Sequence, residues 1–134
     1  MSDLQKIINE LREKQDALIQ QLNAIPESRM GDLAPWGQRE MPIRTMFYQL
    51  VAHDMEHTVH AAKTLRDIGK VSTEAQLILG LLQEAEGRLE ALLVGLSDQD
   101  IDMSVDGEWS IRQVLEHVIN TKSSYSARLA EALA

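Results

Sequence analysis

Cysteine is absent from the 134-residue chain, which removes disulfides, thiolate nucleophiles, iron–sulfur ligation and cysteine-based zinc sites at once. Aromatic residues make up only 4% while apolar residues reach 44%. With Leu, Ala, Ile and Gln filling the uncharged positions, that balance favours helices over strands. No stretch approaches the roughly 18 uninterrupted apolar residues of a membrane span. The first residues are polar and charged where a secretory signal would be hydrophobic, so a cytoplasmic location is expected. Basic residues are outnumbered, 13 against 21 acidic, for a net charge of −8. That charge opposes phosphate-backbone binding and attraction to anionic membranes, so neither nucleic acid nor membrane is an expected partner. The length fits one domain over residues 1–134 with a single core that needs no covalent or metal staple.

Hydrophobic periodicity divides the chain into four helices. Leu4, Ile7, Ile8, Leu11, Leu18, Leu22 and Ile25 follow the i, i+3, i+4, i+7 pattern of an amphipathic helix over residues 3–25. Residues 26–40 have no period and contain prolines and glycines, so they read as a surface connection, long enough to suggest a role of its own. Pro42 suits a helix's first turn. From Ile43 through Phe47, Leu50, Ala61 and Leu65 an apolar stripe runs to a stop at Gly69. Thr73 with Gln76 forms a capping-box pattern ahead of a third helix that carries Leu77, Leu81, Leu89 and Leu96. Residues 97–109 read as an acidic connection, and Ser110 with Gln113 repeats the capping box before a last helix through Leu129. The implied fold is an all-α, antiparallel four-helix bundle. Trp36 and Trp109 in the two connections, each followed by Ile-Arg at a helix start (Ile43-Arg44 and Ile111-Arg112), suggest a duplicated two-helix unit. The leucine repeats of the first and third helices suit an internal core or a homodimer seam.

All four histidines fall in two of these helices: His53, His57 and His60 in the second, His117 in the last. At about 100° per residue, positions 53, 57 and 60 lie within roughly 60° of one another, so three imidazoles share a face. Imidazole is the commonest ligand for borderline divalent metals, and a helix bringing His117 alongside would complete a nitrogen site. His57 lies nearest the apolar stripe and is expected to be the most covered; His53, His60 and His117 lie at its margin. Glu56 is a candidate ligand, outer-shell acceptor or general base. Asp54 falls near the stripe's centre and would need a partner if buried. The competing reading takes the histidines as ordinary solvated side chains. Trp109 reads as a staple at a bundle end and Trp36 as a pocket wall. A di-iron bundle is disfavoured, because paired Glu-x-x-His units are absent: Val59 stands three residues after Glu56.

The segment Trp109–Val118, with His117 near its end, resembles the helix-opening motif of the DinB/YfiT-like superfamily. Residues 42–69, holding His53, His57 and His60, resemble its histidine-rich helix. The two segments cover about a third of the chain. The resemblance implies a four-helix bundle, often dimeric, with a three-histidine site for a divalent metal, commonly zinc or nickel. Members include thiol-dependent transferases and isomerases. By motif, His57 and His117 match family ligands, while the remaining ligand position falls on Ala61. His53 or His60 would then supply the third nitrogen, and the set His53, His57 and His117 is preferred, because an i, i+4 pair converges without bending the helix. The expected function is a metal-dependent transferase or hydrolase acting on a small molecule, thiol-dependent if the resemblance extends that far. The alternative is a non-catalytic helical dimerisation module with a vestigial histidine site.

Overall fold

The computed structural model describes residues 1–134 and is mostly helical: five helices and one two-stranded hairpin, in two compact units, Met1–Leu92 and Leu93–Ala134. The all-α class read from composition holds. No hydrophobic side chain is buried in the chain; Ser110, 8% exposed, is its one buried polar residue.

In the first unit α1 spans Asp3–Asn23. The Gln5 amide donates to Ser2 Oγ at 3.1 Å, satisfying one of the amides that a helix start leaves without a partner. A single 3-10 turn, Glu27–Arg29, follows Pro26. Strands β1 (Leu33–Trp36) and β2 (Arg39–Pro42) then pair antiparallel, Trp36 opposite Arg39. Two residues close this hairpin. Gly37 takes φ of 61° and no non-glycine residue has positive φ, the pattern of a type II′ turn with glycine at its first central position. The connection expected to be irregular over 26–40 is therefore partly ordered. The sequence signal was weak because each strand has only four residues and β1 contains a proline.

Helix α2 (Ile43–Asp67) begins with Pro42 as its N-cap rather than inside its first turn, and proline offers no side-chain acceptor. The preceding connection supplies the missing acceptors. The Ile43 amide donates to the Asp32 carbonyl and the Arg44 amide to the Met30 carbonyl, each at 2.9 Å. Arg29 Nε, 2.8 Å from Asp32 Oδ2, ties the loop down. The hairpin packs on α2 through β2, and Met41, Ile43, Met46, Phe47 and Leu50 are half-buried there. At the other end Gly69, φ 74°, donates to the Arg66 carbonyl and Lys70 to the Leu65 carbonyl, the two bonds of a Schellman stop. Helix α3 (Glu74–Leu92) opens on the expected box: the Gln76 amide donates to Thr73 Oγ1 and the Thr73 amide to Gln76 Oε1. It stops short of Leu96.

The second unit begins with a helix that periodicity could not reveal. Helix α4 is only Asp98–Asp102, nucleated by a capping box between Ser97 and Asp100. The amide and hydroxyl of Ser97 hold the Asp100 carboxyl below its ordinary range. Arg112 at the start of α5 (Ile111–Ala132) grips Asp102 with two nitrogens, at 2.5 and 3.2 Å, and lowers that carboxyl too. Ser110 and Gln113 cap α5 reciprocally, at 3.2 and 2.8 Å. The connection holding Trp36 is thus a hairpin and the one holding Trp109 a short helix and turn; what they share is the Ile-Arg helix opening.

Candidate functional site

The uninterrupted α-helix from 43 to 67 carries the first three imidazoles, and its regular rotation brings their rings into one contiguous array. His53 and His57 meet edge-on with centroids 4.5 Å apart, and His57 and His60 lie tilted at 5.6 Å. The two Nδ1 atoms of His57 and His60 are 3.3 Å apart. In neutral rings one of these nitrogens donates and the other accepts. His53 Nδ1 instead lies 3.5 Å from Asp54 Oδ1, at the outer limit of a hydrogen bond.

All three rings are exposed, so His57 is no more covered than its neighbours, contrary to its position beside the stripe. Asp54 and Glu56 are exposed as well, so Asp54 needs no buried partner. The side chains do not form any group of three or more His, Asp or Glu arranged to hold a metal ion.

In the second unit, α5 carries His117, whose ring meets the Trp109 indole edge-on with centroids 5.1 Å apart. Trp109 precedes the Ser110 cap, the position from which a hydrophobic staple usually reaches the helix's fourth residue. Here it reaches the seventh, His117. The staple reading of Trp109 does not anticipate a histidine partner, because an eight-residue separation is outside the usual motif. Trp36 stands exposed beside the hairpin turn.

The structure thus defines a class: an all-α protein with a histidine array on one long helix and a tryptophan-flanked histidine on its last. Residues 81–133 match the family model of the DinB superfamily. The match includes Trp109 and His117 and leaves α2 outside it. No curated protein and no solved structure matches the chain.

Proposed function

We propose that the protein is a divalent-metal-binding member of the DinB superfamily, a single four-helix-bundle domain over residues 1–134, acting as a transferase or hydrolase on a small molecule. One observation carries this reading: the 3.3 Å between Nδ1 of His57 and Nδ1 of His60. Two nitrogens held about 2.0–2.1 Å from a tetrahedral zinc ion are separated by roughly 3.3–3.4 Å. The donor chemistry fits as well, since the array offers neutral nitrogen ligands without a competing thiolate. Of the two ways of making up for Ala61, this spacing favours His60 over His53.

A bound zinc or nickel ion would supply Lewis acidity, lowering the pKa of a coordinated water, or of a thiol co-substrate, towards neutrality. The chain's own contribution is to hold the imidazoles. The α2 backbone fixes the His57–His60 bite. Exposure of the array leaves room for the open position that catalysis on a metal requires.

Metal analysis of protein purified without an affinity tag or chelator tests the reading. About one equivalent of zinc or nickel per chain is expected, with a marked loss in His57→Ala and His60→Ala and a smaller one in His53→Ala. Metal-free protein that takes up neither ion on addition would overturn it. Retention of metal by both His57→Ala and His60→Ala would place the ion elsewhere.

A further inference from the structure

Of the nine aspartates and three asparagines in the chain, Asp106 alone precedes a glycine. A bond between the carboxyl carbon of an aspartate and the amide nitrogen of the next residue closes a five-membered ring. Two things ordinarily prevent it: the side chain of the next residue, which crowds that nitrogen, and the hydrogen bond that occupies it in helices and strands. Both are missing at Asp106, in the connection between α4 and α5. Residues Val105 to Glu108 form a β-turn, closed by the Glu108 amide donating to the Val105 carbonyl at 2.9 Å, with Gly107 at φ 76°, the pattern of a type II turn. The Gly107 amide has no acceptor, and the Asp106 carboxyl has neither a hydrogen bond nor an ion pair. Both residues are exposed, and no heavy atom lies within 4 Å of where a side chain at Gly107 would begin. Elsewhere the amide after an aspartate is held. Ile68, after Asp67, donates to the Thr64 carbonyl, and Met103, after Asp102, to the Asp100 carbonyl.

We infer that Asp106 and Gly107 form a covalent modification site, which isomerises through a succinimide to a product that an S-adenosylmethionine-dependent isoaspartyl carboxyl methyltransferase accepts as substrate. Ring closure needs rotation about the Asp106 Cα–C bond, and the hydrogen bond within the turn that opposes it is the exposed one from Glu108. The Gly107 nitrogen attacks Asp106 Cγ. The N–Cγ bond forms, a Cγ–O bond breaks, and the departing hydroxyl leaves with the amide proton as water. Water then opens the ring. Attack at Cγ restores aspartate, whereas attack at the main-chain carbonyl carbon breaks its bond to the Gly107 nitrogen. The main chain then runs through Cβ and Cγ, and the freed α-carboxylate becomes the side group. The methyltransferase moves a methyl group from the sulfonium of S-adenosylmethionine to that carboxylate, releasing S-adenosylhomocysteine, and loss of methanol from the ester re-forms the ring. Position gives the change its consequence. The lengthened link lies between Asp102 and Arg112, whose side chains hold α4 to α5, and shortly before Ser110, which caps α5. Isomerisation therefore loosens the start of the last helix.

The inference is independent of metal binding, and the test is run in chelator to keep the two apart. Purified full-length protein is aged for several weeks at physiological temperature, then treated with isoaspartyl methyltransferase and labelled S-adenosylmethionine. Label is expected in the peptide 89–112 released by cleavage after arginine and lysine, with fragmentation placing the isoaspartate at 106 and faster amide exchange at Gln113 in the isomerised fraction. Asp106→Glu, which would have to close a larger ring, is expected to lose the label and keep wild-type helicity. Asp106→Asn, which expels ammonia more readily than aspartate expels water, is expected to gain label several-fold faster. Label centred on another aspartate, label that persists in Asp106→Glu, or its absence from both the wild type and Asp106→Asn would each overturn the site.

Discussion

At the scale of single residues, the chemistry is set by contacts a few ångströms long. Nδ1 of His57 meets His60 while that of His53 turns to Asp54, so three histidines of equal standing in the sequence become a pair and a neighbour. The Asp102–Arg112 grip is the clearest electrostatic feature of the second unit, and it predicts a pH dependence. The Asp102 carboxyl is lowered chiefly by its hydrogen bonds to Arg112. A carboxyl lowered on folding contributes stability that is present above its unfolded value, about 4, and is lost as pH falls through the lower folded value. Between neutral pH and 5 the contact between α4 and α5 is therefore expected to hold, and below about 4 it is expected to loosen. The chemical shift of the Arg112 side-chain Nε–H would report this, and Asp102→Asn should abolish the transition. A shift that titrates near neutrality would refute the assignment. Because both groups are exposed, salt should weaken the grip.

At the scale of elements, each helix end has a local cause, and the causes differ. Ser2, Thr73, Ser97 and Ser110 cap with side chains, and Gly69 stops α2. The start of α2 instead borrows backbone carbonyls from Met30 and Asp32. Ser110 is the cap with most at stake, because it is the buried one and initiates the helix that carries His117. Ser110→Ala is expected to cost about 1 kcal/mol and to raise amide exchange at Gln113 above that at mid-helix positions. Equal protection in variant and wild type would show that the cap is dispensable. The Thr73–Gln76 and Ser110–Gln113 boxes were legible in advance because they rest on residues three apart. The hairpin and α4 were not, since four- and five-residue elements have no period to read.

At the scale of the whole molecule, the central fact is that α1, α2 and α3 each carry an apolar face and no hydrophobic side chain is buried. Stability must come from covering those faces. Zinc, if bound only by the folded state, should add an increment of about 2.7 kcal/mol at a free concentration one hundred times its dissociation constant. That increment should disappear in His57→Ala.

What the sequence alone determined is whatever depends on neighbours within about one helical turn: the long helices, their capping boxes, the glycine stop at Gly69 and the common face of His53, His57 and His60. A rotation of about 100° per residue fixes these whatever else the chain does. Tertiary structure decided which ring atoms meet, the reach of Trp109 to His117, and the carbonyls of Met30 and Asp32 that start α2. Each of these depends on a side-chain torsion or on a loop's path through space. Neither is encoded by the identity of the residues next door, because several rotamers and several loop paths satisfy the same local pattern.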